Sequence, residues 1–405
     1  MSQLLQYYKS FQGNIVPGGG GRAGMPNMMA SPPTFEDLSI DDSLSELQRL
    51  VRYAKSSIGL QRSALVGFVR GRVPSCAILH ATNLLHPLPT FNRLVHVKML
   101  AHVAISVGFA DTLSLIVPLL EDLSLDSEPA VKQHLVEQLR LISKFCSQHG
   151  TEGYKLVVEQ ILPVTSRLLE DEKSEVRQAA VATLVEIAQL IKPDDLGQHV
   201  LTIILRLAHE DETEEMRMTA SELLNLLAEV LGLDLCKQFV IPEVVSLAED
   251  PVFRVRKSTA LNFHNVCKVG GEHELFERLM PAFVRLSKDD MYRVRRAVAE
   301  SLSDVSKHVS DDIRIGVLIE IFLRLTQDPS KLVKQSILQQ SGMFIATLPR
   351  RAVTDVVLAQ FCSMAVGPTG DMQVDAELKH YCAYSFPAVL KTIGSERWKE
   401  VREVS

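Results

Sequence analysis

The stretch EDPVFRVRKSTALNF, residues Glu249–Phe263, is closely repeated 39 residues later as KDDMYRVRRAVAESL, residues Lys288–Leu302. Both stretches place an aspartate three residues before an aromatic residue, and both continue with a Val-Arg pair. Near-copies at a fixed distance predict a structural unit that occurs more than once in the chain.

Six copies of this pattern follow one another in the sequence. Their aspartates are Asp126, Asp171, Asp211, Asp250, Asp289 and Asp328, at steps of 45, 40, 39, 39 and 39 residues. Five residues after each aspartate comes Val or Met, and the next residue is Lys or Arg. Four copies also have a proline eight residues before the aspartate. Three positions in register over about 200 residues indicate a true repeat.

Each copy has the pattern of two helices joined by a tight turn. Apolar residues precede the aspartate at helical spacing, and the aspartate suits the N-cap of the helix that follows. Pro251 and Pro329 would then occupy the first helical position, where a missing N–H costs nothing. The copies at Asp250 and Asp289 predict that Val255 and Val294 pack in the core.

The second helix of the copy at Asp250 is expected to run without a break from the turn to Gly270. On a helix, Val255, Thr259, Phe263 and Val266 share one apolar stripe. A single pair of helices cannot bury such a stripe, whereas stacked neighbours can. The sequence therefore predicts an all-α fold, a HEAT-repeat α-solenoid with a period of about 39 residues.

Composition argues against several other classes of protein. The net charge is −6, and no apolar run reaches the length of a membrane span, so we expect neither nucleic acid nor membrane as a partner. The six cysteines form no CxxC pair, which argues against a zinc site and a disulfide framework. We expect a reducing compartment, the cytoplasm, the nucleus or both.

No catalytic, cofactor-binding or metal site is predicted. A GxGxxG match at Gly19–Gly24 has no strand before it, and the following MPNMMASPP cannot open a helix. His80, His86, His96 and His102 lack acidic or cysteine partners at ligand spacing. The acidic clusters recur at the turns, which indicates helix capping and not acid-base chemistry. We therefore expect a binding module and not an enzyme.

Four segments are expected along the chain. Residues 1–34 form a disordered Gly/Pro-rich arm, 35–112 a degenerate first repeat, 113–348 the HEAT solenoid, and 349–405 an irregular C-terminal helical unit. The first repeat has an expected insertion at residues 63–93, because joining Arg62 to Leu94 restores an amphipathic helix. The alternative is that this segment is a loop with its own binding site.

Residues 253–306, FRVRKSTALNFHNVCKVGGEHELFERLMPAFVRLSKDDMYRVRRAVAESLSDVS, resemble the regulatory subunit 1 family of protein phosphatase 4. Three further stretches are similar to the same family: DSEPAVKQHLVEQLRLISKFC, LTQDPSKLVKQSILQQSGMFIATL and YCAYSFPAVLKTIG. The resemblance therefore covers roughly residues 94–395. It implies a non-catalytic scaffold that binds a Ser/Thr phosphatase catalytic subunit and phosphoprotein substrates or adaptors. Members carry further repeats after this region, so we expect the array to be cut short after RWKEVREVS.

A HEAT-repeat adaptor of another class, such as a nuclear transport receptor, is the alternative. Transport receptors usually have more repeats and a marked acidic inner face, whereas charge here is mixed.

Two sets of residues are candidates for specific roles. Asp250, Val255, Arg256, Asp289, Val294 and Arg295 form an expected structural ladder, in which the arginine of one repeat reaches the aspartate of a neighbour. Phe253, Arg254, Tyr292 and Arg293 are expected side by side at equivalent turn positions, as a protein-binding edge. Aromatic residues and arginine dominate interface hot spots. The alternative is that the two rings pack against the adjacent turn.

Overall fold

The computed structural model describes residues 90–209, 213–367 and 370–401, which contain helices and turns and no β-strand. The α-helices are α1 Thr90–Val97, α2 Leu100–Val107, α3 Phe109–Asp111, α4 Val117–Ser124, α5 Pro129–Cys146, α6 Gly150–Leu156, α7 Leu162–Leu169, α8 Ser174–Ala188, α9 Thr202–Ala208, α10 Glu214–Leu235, α11 Ile241–Leu247, α12 Phe253–Leu261, α13 His264–Val269, α14 Glu272–Glu274, α15 Met280–Leu286, α16 Tyr292–Lys307, α17 Asp311–Ile313, α18 Ile319–Thr326, α19 Lys331–Thr347, α20 Asp355–Val366, α21 Met372–Ile393 and α22 Trp398–Val401. The expected arm at 1–34 lies outside the described residues.

These helices form two layers. The second helices of successive repeats, α5, α8, α10, α12 with α13, α16, α19 and α21, pack side by side in chain order. The first helices, which end in α4, α7, α9, α11, α15 and α18, form the other layer. Val131, Val176, Val255, Val294 and Val333 lie between the layers and are fully buried. The predicted all-α HEAT-repeat solenoid is confirmed.

Each first helix contains one π-helical turn that the sequence pattern did not predict. These turns are Thr112–Ile116, Val157–Ile161, Gly197–Leu201, Cys236–Val240, Leu275–Leu279 and Arg314–Leu318. In four repeats the repeated proline follows at once, at the start of the next α-helical segment. The repeats without this proline have the same π turn, so the proline is not its cause.

The second helices begin two residues later than the prediction. Asp250 is not the N-cap; its Oδ1 accepts a hydrogen bond from the N–H of Val252, at 2.8 Å, and Val252 is the N-cap of α12. Pro251 and Pro329 therefore lie in the turns and not at the first helical position. The aspartate closes a small side-chain turn that leads the chain into the helix.

The second helix of the copy at Asp250 is broken, where the sequence pattern predicted one continuous helix. α12 ends at Leu261 and α13 begins at His264. The Asn262 side chain donates to the Ser258 carbonyl at 3.1 Å and so competes with the helical backbone. The side chain of Asn225, on α10, accepts a hydrogen bond from the Asn265 N–H at 2.9 Å and satisfies a donor that the break leaves open.

Both ends of the described chain also bear on the predictions. α1 includes Arg93, the last residue of the insertion that the sequence predicts. Residues 63–89 of this insertion lie outside the described residues. Near the C-terminus, α21 is a helix of 22 residues with Pro387 inside it. Its side chains Leu378, Val389 and Ile393 are buried.

Candidate functional site

A ladder of ion pairs connects the turns of successive repeats. The guanidinium of Arg256 donates through Nε and Nη2 to the two carboxylate oxygens of Asp289, at 2.6 and 3.1 Å. Arg295 holds Asp328 in the same way, at 2.6 and 3.0 Å. In each pair the aspartate follows the base by 33 residues, so every rung joins one repeat to the next.

The arginine of each rung also holds its own turn. Nη1 of Arg256 donates to the carbonyl oxygens of Asp250 and Pro251, at 2.7 and 3.1 Å. The Asp289 hydrogen bond raises the pKa of Arg256, and the Asp328 hydrogen bond does the same for the pKa of Arg295. Because both partners are largely buried, the rung fixes the position of one turn relative to the next.

The ladder has further rungs, and one of them begins at Arg93, before the first copy that the sequence pattern found. Arg93 Nε donates to Asp126 Oδ2 at 2.7 Å, again across 33 residues. Further rungs join Lys132 to Asp171 and Arg217 to Asp250. Asp211 lies outside the described residues, so its rung is not described.

The four residues of the candidate binding edge lie at the start of the second helices and not in the turns themselves. Phe253 and Arg254 are the first two residues of α12, and Tyr292 and Arg293 the first two of α16. The Arg293 guanidinium lies 5.9 Å from the ring centroids of both Phe253 and Tyr292. This distance is within the range of a cation–π interaction, so the two repeats are in contact at this edge.

The edge residues differ in how much they offer a partner. Arg293 is exposed, and its Nε lies 3.4 Å from the Tyr292 hydroxyl oxygen, which lowers the pKa of that phenol. Arg254 is also exposed but pairs with Glu214 and Glu215 of the preceding repeat. Phe253 and Tyr292 are half-buried, with one part of each ring packed on the core. The edge thus presents two partly accessible rings and one arginine without a carboxylate partner among the described residues.

Groups with the chemistry of an active site are sparse in the described part of the chain. There, no three His, Cys, Asp or Glu side chains come together as metal ligands. Cys146, Cys236, Cys267 and Cys382 are buried; burial raises the pKa of Cys146, Cys236 and Cys382 to about 11 and raises that of Cys267 further. Such thiols are poor nucleophiles at neutral pH. In the same residues, no helix is both long and apolar enough to cross a membrane.

The break between α12 and α13 places two histidines against each other. The rings of His264 and His308 are stacked, with 6.3 Å between their centroids, and His264 Nδ1 is buried without a hydrogen-bond partner. Burial, and then the nearby charges of His264 and Lys268, lower the pKa of His308. The sequence pattern gave no sign of this pair, since the two histidines lie 44 residues apart.

Comparisons with known proteins agree with this architecture. The HEAT repeat family matches residues 161–191 and 279–309. Among solved structures, Kap121p bound to Ste12p superposes with a TM-score of 0.66 at 15% identity, over 88% of this chain and 42% of that one. The Kap95:Nup1 complex gives a TM-score of 0.58 at 14% identity, over 85% and 45% of the two chains. At these identities the likeness shows the fold alone.

Curated relatives match part of the chain. Serine/threonine-protein phosphatase 4 regulatory subunit 1 of Homo sapiens is 30% identical over 147 residues, which is 36% of this chain and 16% of the relative. The Rattus norvegicus protein of the same name matches at the same identity over the same length. The chain thus aligns with about a sixth of these relatives, and the comparisons identify it as a HEAT-repeat solenoid similar in part to regulatory subunit 1 of protein phosphatase 4.

Proposed function

We propose that this chain is a non-catalytic scaffold or regulatory subunit of a Ser/Thr protein phosphatase. It binds the catalytic subunit and phosphoprotein substrates or adaptors, in the cytoplasm, the nucleus or both. The observation that carries the proposal is the 30% identity over 147 residues to the regulatory subunits of protein phosphatase 4.

The ladder supports a scaffold. The rungs are largely buried, and the Arg256 and Arg295 rungs are bidentate, so adjacent turns cannot separate without exposing two charges that are satisfied by each other. A row of turns held in register offers a partner a preformed surface, which reduces the ordering cost of binding. Stable spacing of this kind is what a protein needs in order to hold an enzyme and its substrate together.

The candidate edge supports a role in recognition. Arg293 and the rings of Phe253 and Tyr292 combine a cation with partly exposed aromatic area, the composition typical of interface hot spots. Because Arg293 lies over the rings of both Phe253 and Tyr292, truncating both rings removes one continuous contact area. The backbone of α12 and α16 depends on Val255, Val294 and the ladder, so the helices remain.

Affinity purification of the tagged chain, read by mass spectrometry, tests the proposal. We expect a Ser/Thr phosphatase catalytic subunit among the specific partners. The Phe253→Ala/Tyr292→Ala variant should weaken partner capture with little change in melting temperature. Phe239→Ala/Phe276→Ala, which truncates two exposed aromatic side chains in the π turns of the first helices, is the matched control and should bind as the unmodified chain does.

A nuclear transport receptor is the second candidate. This candidate rests on the fold that the chain shares with Kap121p, whose form bound to RanGTP superposes with a TM-score of 0.59 at 15% identity. The same purification separates the two candidates. Recovery of a small GTPase without a phosphatase catalytic subunit would favour the receptor.

A further inference from the structure

The first two residues of the second helices change in chemistry along the solenoid. In α8 and α10 they are Ser174 with Glu175 and Glu214 with Glu215; in α12, α16 and α19 they are Phe253 with Arg254, Tyr292 with Arg293 and Lys331 with Leu332. In α21 the first residue is Met372. The same row of positions thus changes from acidic in α8 and α10 to basic and apolar in the later helices; in α5 it is Pro129 with Ala130.

Contacts between helices show that this row is continuous. Arg254 bridges back to the acidic half through Glu214. Arg293 lies over the ring of Phe253 in the repeat before it. On the far side, Gln335 of α19 donates to Glu377 of α21 at 3.3 Å, so these two helices also lie against each other near their N-terminal ends.

The basic half of the row is open to solvent. Leu332 is 42% exposed and Met372 is 92% exposed. Arg293 and Lys331 are exposed, and neither has an ion pair within the described residues. We call Phe253, Tyr292, Arg293, Lys331, Leu332 and Met372 the turn strip.

The acidic residues beside the turn strip face other groups. Asp371, which precedes Met372, accepts hydrogen bonds from the N–H groups of Gln373 and Val374 at the start of α21. Asp290 lies in the turn before Tyr292, and its charge helps to raise the pKa of Arg256 and Arg295 in the ladder. Two accessible cations with exposed apolar side chains on both sides therefore remain. A surface of this composition is complementary to carboxylates interspersed with apolar side chains.

We propose that the turn strip binds an extended acidic segment with regularly spaced apolar side chains, supplied by a partner protein. The identity of this partner rests on the proposed function: the segment belongs to a substrate or adaptor of the phosphatase. Packed helices lie about 10 Å apart, which an extended chain covers in about three residues. A segment of about 12 residues in the polyproline II conformation, which has about three residues per turn, therefore reaches all four helices and presents one apolar side chain to each.

A peptide-binding measurement on the full chain tests this inference without any phosphatase. The probe is a fluorescein-labelled 12-residue peptide in which Leu-Glu-Glu is repeated four times, and binding is followed by fluorescence anisotropy. A peptide with glutamine in place of every glutamate keeps the apolar spacing and removes the charge. We expect the acidic probe to bind about tenfold more tightly than the glutamine probe.

Two variants locate the site. Arg293→Ala/Lys331→Ala should weaken the acidic probe about tenfold. Lys155→Ala/Lys237→Ala removes two exposed cations from the first helices and should leave the affinity unchanged. Circular dichroism confirms that both variants are folded.

Three results would overturn the inference. The acidic probe does not bind, or the glutamine probe binds equally well. Alternatively, Arg293→Ala/Lys331→Ala and Lys155→Ala/Lys237→Ala lose affinity equally, which would indicate attraction to charge in general. If the turn strip binds the probe but the chain captures no phosphatase, the proposed function fails and this binding site remains.

Discussion

Arg93 donates two hydrogen bonds to Asp126, at 2.7 and 3.0 Å, across the 33 residues that also separate Arg256 from Asp289. The first described helix thus enters the ladder in the same register as the later repeats. This pair bears directly on the expected insertion, because Arg93 is the residue at which that segment was placed to end. Removing 62–92 instead of 63–93 yields the same protein, since Arg62 and Arg93 are both arginine.

Deleting residues 63–93 should therefore preserve the first rung. Arg62 would then precede Leu94 and take the position of Arg93 opposite Asp126. We expect a melting temperature at least as high as that of the full chain, because the insertion that the sequence predicts no longer has to be accommodated within the first repeat. The same deletion carrying Arg62→Ala should melt lower. Unfolding of the repeats near Asp126 after the simple deletion would show that the segment is an integral element.

Loss of one partner from a ladder rung should be costly. Asp289→Ala leaves the largely buried Arg256 without its carboxylate, which costs on the order of 3 kcal/mol of unfolding free energy. Arg254 and Glu214 also join adjacent repeats but are more exposed, so Glu214→Ala should cost less than about 1 kcal/mol. Urea unfolding of Asp289→Ala, Arg256→Ala and the double variant measures the coupling between the two side chains, and Glu214→Ala is measured in the same way. Equal costs for the two pairs would contradict a stabilising ladder.

A charge placed between the layers should unfold its repeat. Val294 is fully buried, so Val294→Asp costs several kcal/mol, on the order of other unpaired buried charges. Hydrogen exchange should increase most in the repeat of Val294 and its neighbours, since repeats couple to adjacent repeats. Val366→Asp, at a side chain that is 82% exposed, is the matched control. Unchanged exchange around Val294 would contradict its place in the core.

Stability should decrease as the pH falls below about 6.5, the ordinary pKa of histidine. Burial and the charges of His264 and Lys268 lower the pKa of His308 in the folded chain. The unfolded chain therefore binds the proton more tightly, so stability is full above pH 6.5 and is lost as the pH falls toward the lowered pKa. Lys307 and Glu229 also face this histidine. Urea unfolding at pH 7.5 and pH 5.5 should show a smaller loss for His308→Gln; an equal loss would assign the effect to other groups.

The repeat itself could be predicted from sequence because three positions recur in register. The period, the paired helices and the buried valines all follow from that pattern. The pattern could not place the aspartate two residues before the N-cap, because an aspartate fits a helix cap and a side-chain turn equally well. It also missed the break after Leu261. Asn262 and Asn265 are the residues in the sequence that could have indicated it, because asparagine side chains compete with the helical backbone for hydrogen bonds.

The candidate edge was located by equivalence between copies, and its chemistry needed the structure. Phe253 and Tyr292 occupy equivalent positions in sequence, and the structure places Arg293 over both rings. Which cations remain accessible could not be predicted, because the pairing of Arg254 with Glu214 joins residues 40 positions apart. Arg93 was missed as a rung because its repeat has Pro87 where the others have aspartate.

The central claim is that this solenoid holds a phosphatase. Titration of the purified chain with purified protein phosphatase 4 catalytic subunit, followed by isothermal calorimetry, measures this directly. We expect a one-to-one complex with a dissociation constant on the order of micromolar or tighter, weakened in Phe253→Ala/Tyr292→Ala. No heat of binding at tens of micromolar, with both proteins folded and the subunit active on a phosphopeptide, would contradict it.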